Sequence, residues 1–170
     1  MNDQAEVSVP EFLGRLDQGW ADLQAFIASL TPELLTHPTD AGGWTVKDHL
    51  IHLAMWEDGM NAVMAHENRR ERMGVDEATW EQGDFDAINA VIQRAHHADP
   101  LESVLDTLNR VNTEFRGRVA AMNTADLLAP YSDYQADSDS NDPIVWRLVG
   151  NSFGHFEEHI PWMKAIVGQD

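Results

Sequence analysis

The chain of 170 residues contains no cysteine, which excludes disulfides, thiolate metal ligands and a cysteine nucleophile. Lysine is almost as scarce, with only Lys47 and Lys164. Eleven basic residues stand against 29 acidic ones, for a formal net charge of −18. A surface that tracks phosphates needs clustered Lys and Arg, so no nucleic-acid partner is expected. An anionic membrane surface is disfavoured for the same reason. No apolar run approaches the roughly 20 residues of a membrane span. The N-terminal MNDQAEVSVPEF has neither the basic n-region nor the apolar h-region of a signal peptide, and the expected location is the cytoplasm. Strand-type alternation and internal repeats are also missing. What is present is 43% hydrophobic and 24% charged, a globular mix of a length suited to a single domain over 1–170.

The remaining pattern is helical. Ser8-Val-Pro-Glu11 has the form of a capping box with Pro in the first turn. Phe12, Leu13, Leu16, Trp20, Leu23, Ile27 and Leu30 follow at helical spacing, predicting a helix near 9–30. Thr31-Pro32 stops it and starts a short turn through Leu35. Thr45 caps a long helix predicted over 45–72, closed by Arg69, Arg70 and Arg72, where positive charge favours a C-terminus. Asp84 caps a shorter helix, and Asp99-Pro100-Leu-Glu102 opens another predicted over 100–122. Asn123 to Asn141 reads as a loop, its acidic end lacking the Gly and Glu of a calcium-binding loop. Asp142-Pro143 opens a final helix predicted to run to about Val167. Such a series of amphipathic helices argues an all-α bundle.

Of eight histidines, His37, His66, His96 and His97 lie in polar or helix-end contexts and read as solvated. His155 and His159 lie four apart on the final helix, on one face, inside the stripe of Leu148, Trp162 and Ile166. Imidazoles facing a core must be hydrogen-bonded or metallated. The helix from Thr45 carries His49 within its apolar face and His52 at the border, so periodicity alone favours His49 as the inward one. A third imidazole from that helix would complete three nitrogen ligands with an open position, the arrangement of a catalytic divalent site. Zn or Ni suits such ligands. Pro161 follows the His pair and predicts a kink there. Gly150 and Gly154, four apart, suggest close helix approach.

The segment Gly43-Trp-Thr-Val-Lys-Asp-His-Leu-Ile-His-Leu-Ala-Met-Trp-Glu57 resembles the G-W-[ST]-x-[KR]-[DE]-x-[LV]-x-H-L motif of DinB/YfiT-like proteins, and the late H-x-x-x-H fits the same family. Trp56-Glu57 and Asp86-Ala-Ile-Asn89 also resemble the ClbS/DfsB branch, which includes a colibactin-resistance protein. The resemblance spans roughly Val9 to Val167. It implies an up-down-down-up four-helix bundle, often a homodimer, with a divalent metal held by three histidines. Matched by position, these are His52, His155 and His159, with His49 beside them or substituting for His52. The activities it implies are transfer or isomerisation using a low-molecular-weight thiol cosubstrate, or hydrolysis.

Glu57, at the edge of the apolar face, and Glu158, between the two late histidines, are the candidate general bases. The expectation is therefore a metal-dependent enzyme acting on a small electrophilic molecule. With no cysteine in the chain, any thiol nucleophile must come from a cosubstrate. The alternative is a non-enzymatic protein that binds or sequesters a small molecule for self-protection. Loss of turnover with retained metal in Glu57 and Glu158 variants would separate the two.

Overall fold

The structure, a computed structural model, describes residues 8–169; the first seven residues, which belong to the segment read for a signal peptide, lie outside it. Ten α-helices are described: α1 Val9–Ala28, α2 Pro32–Thr36, α3 Val46–Met64, α4 Arg69–Arg72, α5 Glu77–Glu81, α6 Phe85–His96, α7 Leu101–Ala120, α8 Thr124–Leu128, α9 Ile144–Gly150 and α10 Phe153–Ile166. No strand occurs among the described residues, which hold one isolated bridge, between Pro130 and Pro143. No helix among them is long and apolar enough to cross a membrane.

The helix starts follow from local chemistry. Ser8 and Glu11 form a reciprocal capping box at α1, and Thr45 and Asp48 form one at α3. Each satisfies backbone N–H groups that the first turn leaves without partners. Asp84 caps α6 through the N–H groups of Asp86 and Ala87. The four long helices then close a ring of contacts: α1 on α7, α7 on α3, α3 on α10 and α10 on α1. Phe12, Phe115 and Phe153 join three of them, with Phe12 edge-on to Phe153 at 5.2 Å between centroids. Gly19 permits the approach of α1 to α10, since a Cβ there would lie 2.8 Å from Phe153 Cβ.

Helix α3 is the hub. Every residue from Val46 to Val63 is buried, because α2, α4, α6, α7, α9 and α10 all pack on it. Its polar residues therefore have no solvent side, and each must find a protein partner or orphan its polar atoms.

Three predicted segments are corrected. The helix predicted over 45–72 ends at Met64: His66 adopts a left-handed φ of 57°, and Asn68 caps a separate helix, α4. Arg69, Arg70 and Arg72 thus form their own helix rather than closing α3. The loop predicted over 123–141 contains α8, started by an Asn123–Asp126 capping box, and a 3-10 turn at Tyr131–Asp133. The final helix is two helices broken at Asn151-Ser152, where Ser152 leaves helical geometry at φ −134° and ψ −119°. Pro161 remains inside α10 and is exposed, so the interruption precedes the His pair instead of following it. Gly154 serves that interruption: a Cβ there would meet the Val149 carbonyl oxygen at 2.9 Å, whereas one at Gly150 would meet nothing within 4 Å. The close approach is between consecutive helices.

Candidate metal centre

The two histidine-bearing helices meet where α3 crosses α10. His52 Nε2 lies 3.1 Å from His155 Nε2, and His49 Nδ1 lies 2.9 Å from His159 Nδ1. The His52 and His159 rings stack at 4.8 Å between centroids, and the His155 ring stands perpendicular to His159 at 4.6 Å. His52, His155 and His159 each offer a ligand atom, and these atoms all lie within 4.8 Å of one another. The structure brings the three predicted ligands together. His49 borders the group through its bond to His159.

Burial pushes all four imidazoles below their ordinary value. His155 falls to about 4 and His159 to about 2, chiefly by desolvation and then by neighbouring histidines. Burial, then His155, His159 and His49, hold His52 well below its usual range, and His49 is lowered in spite of Asp40, which opposes the effect. All four are neutral at pH 7, the state in which imidazole nitrogen can ligate a metal. A neutral imidazole has one donor and one acceptor. With their Nε2 atoms facing each other, His52 and His155 leave both Nδ1 atoms buried and without a partner. A divalent ion shared by the cluster would take up lone pairs that the imidazoles do not satisfy among themselves, so the donor set fits such an ion.

The loop before α3 shapes one side. Asp40 Oδ1 accepts from the N–H groups of Gly42 at 2.8 Å and Trp44 at 2.9 Å, and Gly43 takes φ 83°. This turn places Trp44 against the His49 and His52 rings, 5.3 and 5.6 Å away, and Asp40 Oδ2 3.5 Å from His49 Nε2. Asp40, His49 and His159 thereby form a chain of polar contacts leading to the cluster. Asp40 escaped the sequence reading, although an Asp at the start of Asp-Ala-Gly-Gly is an Asx-turn signal.

The cluster opens into a cavity of about 720 Å³ bordered by Trp44, Trp56, Trp162, Phe85, Glu158 and Arg147, among others. Trp56 Nε1 donates to Asn89 Oδ1 at 2.9 Å, so the two segments resembling the ClbS/DfsB branch meet at its wall. Of the two candidate bases, Glu158 borders the cavity and Glu57 does not. Glu57 points to the other side of α3, where Asn112 Nδ2 donates to Oε1 at 3.1 Å. His96 and His97, expected to be solvated, pair with Asp99 at 2.7 Å and with Asp48 at 3.0 Å. His66 stacks on Tyr134.

A family model for the DinB superfamily matches residues 15–159, a span that contains both the His52 segment and the late His pair. The chain belongs to the DinB superfamily. A crystal structure of an uncharacterised protein from Escherichia coli UTI89 shares the fold of this superfamily member, with a TM-score of 0.70 at 13% identity, covering 95% of this chain and 93% of that one. No curated protein matches the chain.

Proposed function

We propose that this DinB-superfamily protein is a metal-dependent enzyme acting on a small electrophilic molecule, with Zn or Ni held by His52, His155 and His159. The observation that carries this reading is three neutral imidazoles converging in an aromatic-walled cavity, two of them with a buried ring nitrogen that has no partner. Members of the superfamily are generally metalloproteins, which supports it. The ring of α1, α3, α7 and α10 is read as an up-down-down-up bundle.

A bound divalent ion supplies Lewis acidity at the cavity floor. The chain supplies the rest. His49 holds the His159 ring by its Nδ1 and is itself approached by Asp40, which fixes the ring's orientation. Trp44, Trp56 and Trp162 wall the cavity and displace water around a bound substrate. Glu158, adjacent to a ligand and bordering the cavity, accepts the proton of the attacking nucleophile. That nucleophile is water in a hydrolase or a low-molecular-weight thiol in a transferase. Glu57, turned towards α7, has no part in this reading.

Elemental analysis of tag-free protein tests it. Near-stoichiometric Zn or Ni is expected in the wild type and loss of it in His155→Ala. Glu158→Gln is then expected to keep the metal and lose turnover in thiol-transfer, ester or epoxide assays. A wild type that takes up no metal after incubation with Zn and Ni at neutral pH refutes the site, leaving small-molecule sequestration as the reading. A Glu158→Gln variant with full turnover refutes the assigned base.

A further inference from the structure

Arg69, at the start of α4, is only 7% exposed, yet no carboxylate of the described residues lies within 4.0 Å of its guanidinium. The same holds for Arg147 on α9. Of the nine arginines, Arg70, Arg72, Arg110, Arg116 and Arg118 have acidic partners, and the other two that lack one, Arg15 and Arg94, are exposed to water. Glu77, Glu81, Asp137 and Asp139 border a cavity shared with both arginines, but none of the four pairs with either. A buried cation without a counter-ion is costly to maintain.

Its surroundings hold the charge without neutralising it. The Arg69 guanidinium lies 5.2 Å from the centroid of Trp56 and 5.8 Å from that of Trp80, and the Arg147 guanidinium lies 4.1 Å from that of Tyr131. Stacking on an aromatic face leaves the in-plane N–H edge for another ligand. Asn151, at the break between α9 and α10, ties the two together. Its Oδ1 accepts from Arg69 at 3.1 Å, and its Nδ2 donates to the Arg147 carbonyl at 2.7 Å. Arg69 Nε and Arg147 Nε are both buried without partners. Gly59 makes room for this arrangement, since a Cβ there would lie 3.2 Å from Arg69 Cγ and 2.7 Å from Met73 Sδ. Burial lowers the Arg69 guanidinium from its ordinary value; Tyr131 opposes this and the neighbouring Arg147 cation adds to it. Arginine nonetheless stays charged.

Both arginines border the histidine cavity and also a second cavity of about 470 Å³, so they stand at the junction of the two. We infer that Arg69 and Arg147 form an oxyanion-binding subsite that receives the carboxylate or phosphate group of a small organic acid, with the rest of the molecule lying along Trp56 towards the histidines. The subsite stands whether or not the histidines hold a metal.

Metal-free protein is titrated with phenylacetate, phenyl phosphate and the uncharged phenylacetamide, followed by tryptophan fluorescence and calorimetry. At least one anion is expected to bind at millimolar concentration, and the amide roughly tenfold or more weaker, a gap of about 1.4 kcal/mol. Which anion binds tighter identifies the group. In Arg69→Gln and in Arg147→Gln the preference is expected to fall to about unity, while exposed Arg94→Gln keeps it. Either arginine variant decides the matter if the other fails to fold, and retained metal uptake in it reports an intact histidine cluster. His155→Ala is expected to keep the preference. Equal binding of amide and anions, no binding of either anion, retention of the preference in the folded arginine variants, or its loss only in His155→Ala would each overturn the assignment. The last would place the anion on the histidines.

Discussion

Glu57 gives the sharpest handle on stability. It lies on α3 with no exposed surface, and it meets no cation. Asn112 donates to Oε1 at 3.1 Å, while Oε2 has no partner. Burial raises its carboxyl from 4.5 to about 8, overriding the Asn112 bond, and Asp58 adds to the rise. At pH 7 the folded protein therefore holds this carboxyl protonated, and the unfolded chain does not. Between about 4.5 and about 8 the folded state carries one more proton than the unfolded state, so stability falls as pH rises through that window. The contribution is fully present below the unfolded value and is lost by the folded one. At about 1.4 kcal/mol for each pH unit, the loss is on the order of 5 kcal/mol, against a usual total of roughly 5–15 kcal/mol. Glu57→Gln keeps an oxygen for Asn112 and cannot ionise. Urea unfolding from about pH 5 to about pH 9 is expected to show the variant's midpoint gaining on the wild type's as pH rises, the histidine cluster contributing equally to both. The self-repulsion of a chain with net charge −18 acts on both proteins alike, so the difference isolates Glu57. Parallel curves for the two proteins would refute the reasoning.

The histidine cluster has the opposite sign. With folded values near 4 for His155 and near 2 for His159 against 6.5 unfolded, its stability is present above 6.5 and is lost as pH falls; His155→Gln is expected to move the acid unfolding midpoint to lower pH by circular dichroism. Gly19→Ala places a Cβ 2.8 Å from Phe153 Cβ, at the root of a side chain that cannot swing away, and is expected to destabilise by about 1–3 kcal/mol in thermal melts. Gly14→Ala, with nothing within 4 Å on the same helix, is expected to stabilise by roughly 0.5–1 kcal/mol. Thr45→Ala removes a capping box that is 3% exposed and is expected to lower the urea-derived stability by about 1 kcal/mol.

What was legible in the sequence was what local chemistry determines. Ser8 with Glu11, Thr45 with Asp48, and Asp84 announced their helices because a cap needs only residues within one turn. The i, i+4 pair His155 and His159 was legible for the same reason. Interruptions inside strong apolar patterns were not. Nothing in the periodicity around His66 or Asn151-Ser152 shows that the helix stops, since the stop depends on where α4 and α9 pack. The Arg69–Asn151–Arg147 arrangement was invisible because it joins a short helix to that unannounced break.

Periodicity could not choose between His49 and His52 for a physical reason. A helical projection discriminates only where a helix has a solvent side, and α3 has none from Val46 to Val63. On such a helix the polar residues, not the apolar ones, carry the positional information. Lys47 donates to the carbonyls of His96 and His97 at the end of α6, at 3.5 and 2.7 Å. Asp48 caps its own helix and binds His97. Glu57 and Asn61 bond α7, and Asp58 approaches Arg72 of α4. His49 and His52 face α10. A one-residue slip of α3 would break all these contacts together, each leaving a buried polar group unpaired at about 1–3 kcal/mol. The register that brings His52 to His155 is thus enforced by polar contacts on the other sides of the helix. The candidate centre is held in place by residues that never touch it.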